Sequence, residues 1–367
     1  MEVLDARQLL VVDASITSEL KQHIVTLSRS STLENDVSMA FTSAEVWITT
    51  NNGDRYNFFE TSGGRYVAEE AFAAADAVDY TLNILSEDGA LYQSTQERLP
   101  VPVTIDRLFG EYISLLSTED GGLDEGIQFF VDSSSPTTAE IFNVRIEYEE
   151  DYQVTVPYSS PYVYARGSGI LKRDTLIQTC YNNRASTELL IGTTSGQGEN
   201  KLLDLPIRLV APSEPQLLSR YALSVRLFSI TPEAYTYYQD LKQNNESGGG
   251  FFDIQKGSIF GNIFNVADAG EPVLGYFEVA NVAFARSFFD ASQWREDGFI
   301  PDPFFNVCEY SSVADSVFTE DVQNDLIMVG TRNIHAISMD SIHTILVPIQ
   351  CSDCRQYGSL EKPEFWD

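Results

Sequence analysis

Apolar and polar positions alternate in short runs along the first hundred residues, and turn residues separate the runs. In "HIVTLSRS" (23–30), Ile24, Thr26 and Ser28 fall on one side of a strand and Val25, Leu27 and Arg29 on the other. "QLLVVDASI" (8–16) precedes it and "AEVWITT" (44–50) follows. Asn51-Asn52-Gly53-Asp54 supplies a hairpin turn into "RYNFFE" (55–60), and Gly63-Gly64 a second turn into "RYVAEE". Glu87-Asp88-Gly89 makes a third, between "VDYTLNILS" (78–86) and "ALYQS". Short strands at near-regular spacing predict an immunoglobulin-like or transthyretin-like sandwich over residues 1–105. The alanine run at 71–77 reads as a helical turn.

"LPVPVTIDRLFG" (99–110), with two prolines, reads as a linker into a larger β-rich domain at 106–367. Strands there are longer: "IQFFVD" (127–132), "FNVRIEYEEDYQV" (142–154), "DTLIQTCYN" (174–182), "STELLIG" (186–192) and "DLPIRLVA" (204–211). "LLSRYALSVRLFSIT" (217–231) runs fifteen residues without glycine or proline, long enough to cross a large sandwich sheet or barrel. One helix interrupts the pattern near 232–246. Thr231 suits its N-cap and Pro232 its first turn, and Ala234, Tyr238 and Leu241 share a face. Gly248-Gly249-Gly250 ends it. "VLGYFEVANVAFARSFFD" (273–290), a proline-rich loop (301–308), an acidic segment (315–325) and a last strand "SIHTILVPIQC" (341–351) complete the chain. The fold class is mainly β with one inserted helix.

Composition supports that class and narrows the function. The 367 residues suit two domains, and 43% apolar and 12% aromatic content provides for real cores. The net charge of −31 repels phosphate backbones and anionic lipid, so nucleic-acid binding and docking by a basic patch are not expected. No run reaches the roughly 20 apolar residues of a membrane helix. Glu2 and a strand-like run follow Met1 at once, so no signal peptide opens the sequence. Scarce lysine beside plentiful Tyr, Ser, Thr and Asn leans toward an exported protein whose leader has been cut away.

Four cysteines carry the clearest candidate chemistry: Cys180, Cys308, Cys351 and Cys354. Zinc sites usually show two close pairs, and only Cys351 and Cys354 are close. A thioredoxin-like centre needs a βαβ setting, whereas this C-x-x-C follows a strand and enters a Gly-Ser, proline-containing tail. An even count in an exported chain favours two structural disulfides, and three pairings are open. A Cys351–Cys354 bridge would close a tiny loop worth about 2 kcal/mol. Bridges from the tail back to Cys180 and Cys308 would be worth roughly 4–5 kcal/mol and are preferred.

No catalytic, cofactor or metal site emerges. His23, His335 and His343 form no H-E-x-x-H motif and read as ordinary strand histidines, the last two able to share a face. "STEDGGLDEG" (117–126) lacks calcium-loop spacing and reads as a solvated hairpin loop, and "GTTSGQGENK" (192–201) is no P-loop. Two aromatic, proline-bearing loops remain as candidate partner or ligand contacts. One holds Tyr158, Tyr162 and Tyr164, the other Phe299, Phe304 and Phe305.

Several stretches resemble the DUF4249 family of Bacteroidota outer-membrane lipoproteins. They are "LLVVDASIT" with "HIVTLSRS", "GDRYNFFETSGGRYV", "VPVTIDRLF", "TPEAYTYYQDLKQNNESGGGFFD" with "GNIFNVADAGEPVLGYFEV", and the ending "CSDCRQYGSLEKPEFWD". The resemblance implies a protein made with a lipoprotein signal peptide and a lipidated cysteine ahead of the first strand, both missing here. It implies genes beside TonB-dependent outer-membrane receptors, and a lipid-anchored, surface-exposed protein that assists such a receptor. It carries over no functional residue. The expected function is therefore a non-enzymatic accessory partner of a TonB-dependent receptor in ligand capture or uptake, without cofactor. A carbohydrate- or peptide-binding adhesion module that works without a transporter is the alternative. A hydrolase with an unusual site ranks third.

Overall fold

The structure is a computed structural model and describes residues 8–30, 39–116, 123–136, 141–165, 169–196, 200–247, 259, 261–302, 305, 308, 311–314, 334–339 and 343–366. It is mainly β with one α-helix among the described residues. Its largest element is a mixed sheet of fifteen strands that does not close on itself. A three-stranded antiparallel sheet, Thr104–Leu116, Leu123–Ser134 and Lys201–Val210, packs against one half of it.

Most strands form where side chains alternate between core and solvent. Ile24–Arg29 buries Val25 and Leu27, and Glu45–Thr50 buries Val46 and Ile48. Three local expectations change. The alanine run at 71–77 is not helical, because neighbouring segments take its backbone groups. Phe72 exchanges both backbone bonds with Lys21, Ala74 N–H donates to Thr17, and Ala75 N–H donates to the Tyr80 hydroxyl. The stretch read as a linker at 99–110 becomes strand from Thr104, two residues past Pro102. The run at 217–231 divides: Pro215–Leu218 is a 3-10 turn, and the strand covers Tyr221–Ile230.

The strand Val273–Phe289 organises the molecule. Residues 273–280 pair parallel with Leu10–Thr17, and residues 281–289 pair antiparallel with Tyr221–Ile230. Gly275 is the third residue of the parallel pairing, at φ +107°, where a Cβ would sit 1.8 Å from the Val12 carbonyl oxygen, so no side chain fits. Among the described residues, the two largest hydrophobic cores lie along this continuous sheet. The first gathers residues between Leu10 and Tyr92 together with Ile263, Val273, Phe277 and Val279. The second lies between the large sheet and the three-stranded sheet, with Phe129 in van der Waals reach of Tyr221, Phe289 and Trp294. Glu150 is buried there, taking hydrogen bonds from Arg208 (3.0 Å) and the Tyr221 hydroxyl (3.0 Å) across the two sheets. Its partners are protein groups, which makes it a fastening between layers.

Candidate functional site

Four neighbouring strands, Thr179–Ala185, Asn143–Thr155, Tyr221–Ile230 and Val273–Phe289, build the outer face of the second half of the large sheet. The two-residue period sends Ile146, Tyr148, Val225 and Leu227 into the second core. On the opposite face it leaves Glu147, Glu149, Ser224, Arg226, Phe284 and Arg286, which floor a cleft of about 470 Å³. Register sets them in rows. Glu147 stands beside Arg226 and Phe284, and Glu149 stands beside Ser224 and Arg286.

The helix Pro232–Ser247 lies at one end of this face. Its first turn is held as the sequence implies, with the Ala234 N–H donating to Thr231 Oγ1 at 3.2 Å. Ala234, Tyr235, Tyr237 and Tyr238 rest on Phe228, Ile230, Tyr276 and Ala280. Beneath it Arg145 Nη2 and Nε donate to the two oxygens of Glu278, at 2.9 and 3.1 Å, and Ser15 adds a bond at 3.2 Å. Glu278 is 1% exposed. Burial works against the charge on Arg145, and the carboxylate of Glu278 more than offsets it, so the guanidinium stays protonated. Burial, and then the charge of Glu278, pushes the Tyr238 phenol well above its ordinary range. A second cleft, also of about 470 Å³, opens between the helix and the parallel strands, with Asp13, Tyr237, Tyr238, Leu241 and Tyr276 on its walls. Those walls crowd Asp13 enough to hold its carboxyl above the usual carboxylate range.

The C-terminal tail covers the other end. Cys354 is bridged to Cys180 and Cys351 to Cys308, so each tail cysteine reaches back into the body. Tyr181 and Ser359 exchange backbone hydrogen bonds, both 2.8 Å, and at Gly358 a Cβ would meet the Tyr181 carbonyl oxygen at 2.3 Å. Arg220 donates to the Trp366 carbonyl at 2.7 Å and lies over Phe288. Arg286 stacks on Phe365, 3.4 Å from the ring centre, and its Nε donates to Ser224 Oγ at 2.7 Å.

The aromatic residues singled out in the sequence divide. Tyr158 and Phe305 converge on the disulfides: the Tyr158 hydroxyl donates to the Cys308 carbonyl at 3.2 Å, and Phe305 meets Tyr357 edge to face at 5.7 Å. Phe299 is 1% exposed and belongs to the second core, against Tyr112. Tyr162 and Tyr164 lie on Tyr162–Ala165, which pairs with Gly169–Lys172. Phe304 and residues 117–122 of the acidic loop lie outside the described residues. His23 is buried, donates through Nε2 to the Phe72 carbonyl at 2.9 Å, and has its pKa lowered to about 4 by burial. His335 and His343 lie on the paired strands Ile334–Met339 and His343–Pro348. The cleft residues were not singled out in the sequence. Their signal is the period-two series Phe284, Arg286, Phe288, polar and aromatic on the face opposite Ala283 and Phe289.

Among the described residues no helix is long and apolar enough to cross a membrane, and no cluster of His, Cys, Asp or Glu has metal-ligand geometry. No curated protein matches the chain in sequence. Among solved structures, the chain is similar to a DUF4785 family protein from Legionella pneumophila, at 9% identity and a TM-score of 0.21. The likeness covers 60% of this chain and 52% of that one, so the chain spans about half of its length, and at that score it carries no argument. Residues 1–286, which take in the first core, the helix and the shared strand through Arg286, match the domain of unknown function DUF4249, and the chain belongs to that family.

Proposed function

We propose that this chain is a non-enzymatic, lipid-anchored protein of the bacterial outer membrane, exposed at the cell surface as in Bacteroidota lipoproteins. There it is the accessory partner of a TonB-dependent receptor in ligand capture or uptake. The observation that carries the reading is an open cleft whose far end is covered by a tail fastened with two long-range disulfides. Disulfides of this kind persist in oxidising, extracytoplasmic compartments. A concave surface with a few convergent polar groups is the ordinary form of a ligand site. Membership of DUF4249 supports the assignment through the resemblance drawn from the sequence.

The test is recovery of the lipidated protein from detergent-solubilised native membranes, followed by mass spectrometry of what accompanies it. Stoichiometric recovery of a TonB-dependent receptor is the expected result. Recovery of the lipoprotein alone, with the receptor present in the same membranes, overturns the partnership. It would favour a carbohydrate- or peptide-binding module working without a transporter, which the exposed Phe284 in the cleft floor also suits.

A further inference from the structure

The two rows on the cleft floor differ in how their charges are satisfied. In the first row Glu147 is paired with Arg145, and Arg226 is paired with Glu19. Lys21 and Arg226 hold the Glu19 carboxyl below its usual range in spite of partial burial. In the second row Glu149 and Arg286 flank Ser224 from opposite sides, and among the described residues neither makes an ion pair. Neighbouring strands run about 4.8 Å apart, so the α-carbons of Glu149 and Arg286 are on the order of 10 Å apart, with Ser224 between them.

Arg286 is set up to receive a carboxylate. Its Nε–H is occupied by Ser224 and its plane is fixed by stacking on Phe365, with Phe284 also beside it at 5.3 Å. What is left of the guanidinium is its terminal amino groups, the part that binds carboxylates most effectively. A chain of net charge −31 repels a simple anion, and the exposed Glu149 does the same at short range. A ligand that brings its own cation escapes both penalties. Phe284, 54% exposed in the adjacent row and two residues before Arg286 on the same strand, offers an apolar surface beside the two charges.

We propose that this row binds a short peptide by its two free ends: the C-terminal carboxylate on Arg286, the N-terminal ammonium on Glu149, and a side chain against Phe284. An extended residue spans about 3.5 Å, so two or three residues match the separation of the two strand positions. The cleft volume of about 470 Å³ lies within the range of small-ligand sites. The inference deepens the ligand-capture reading by naming the class of ligand.

The test is calorimetry on the full chain with alanyl-phenylalanine, its C-terminal amide and its N-acetyl derivative, each at millimolar concentration. The free dipeptide is expected to bind at least about tenfold more tightly than either blocked form. Arg286→Gln should abolish the preference for the acid over the amide, and Glu149→Gln the preference for the free over the acetylated amine. Arg286→Lys, which keeps the charge but not the paired amino groups, should retain part of the first preference. Thermal melts matched to the parent chain establish that the variants are folded. Equal binding of free and blocked dipeptides, or no binding of any, overturns the proposal. A chain that recovers its receptor yet ignores dipeptides loses this inference and keeps the receptor reading.

Discussion

The helix and the tail lie at opposite ends of one sheet face and are held there by opposite means. The helix sits over a desolvated ion pair, Arg145 with Glu278, roofed by tyrosines. The tail is fastened covalently at two cysteines and then laid down by arginine–aromatic stacking over Phe288, Phe365 and Trp366. The difference follows from what each segment can bury. The helix presents an alanine and three tyrosines to the sheet, enough apolar surface to dock by packing. The tail offers only short 3-10 turns, Ile349–Cys351, Cys354–Gln356 and Glu364–Trp366, which have little stability of their own. Turns that short do not hold a segment by themselves, and the covalent ties add to the aromatic packing in keeping it in place.

The largest test of that contrast is removal of the longer bridge. Cys180 and Cys354 stand 174 residues apart, and replacing both with serine should lower stability by about 5 kcal/mol. Urea unfolding should show the loss, while far-ultraviolet dichroism of the folded protein keeps its helical component. An unchanged midpoint would mean that the Cys308–Cys351 bridge and the aromatic contacts hold the tail without it. Next comes Glu278→Ala, which strands a buried guanidinium and should cost about 3–5 kcal/mol. Here hydrogen exchange should speed up in the helix and leave the tail protected, the reverse of the cysteine variant.

A third perturbation acts on the first core and leaves both ends alone. His23 titrates at about 4 when folded and near 6.5 when exposed. Between those values the folded state binds fewer protons than the unfolded chain, so stability rises with pH across the interval. The contribution is fully present above pH 6.5, is lost as pH falls through 4, and is worth about 3 kcal/mol. Stability measured against pH in His23→Gln should lack that rise. The smallest effect is expected from Thr231→Ala, about 1 kcal/mol, read as fraying of the first helical turn in the same exchange experiment.

How much of this was legible in the sequence depends on how local the cause is. The strand at Glu45–Thr50 and the helix start at Thr231-Pro232 were readable because period, cap and turn residues act within a few positions. The cysteine count pointed to two bridges, but only the approach of the tail to Ile177 and Tyr181 decides the pairing. Phe299 looked like a loop aromatic because prolines follow it, yet the loop folds under and buries the ring. The cleft row was out of reach. Glu149, Ser224 and Arg286 become neighbours only through the register of three strands, and nothing near any of them in sequence records that register.

The parallel pairing of Leu10–Thr17 with Val273–Phe289 also governs how the protein is made. Glu278 comes 263 positions after Ser15, its hydrogen-bond partner. During synthesis the earliest strand therefore waits, one edge unpaired, until almost three quarters of the polypeptide has followed it. Such an edge is a template for adventitious pairing and a handle for chaperones. Any nascent chain cut short before that point keeps the handle exposed, and only one that has delivered residues 273–280 hides it.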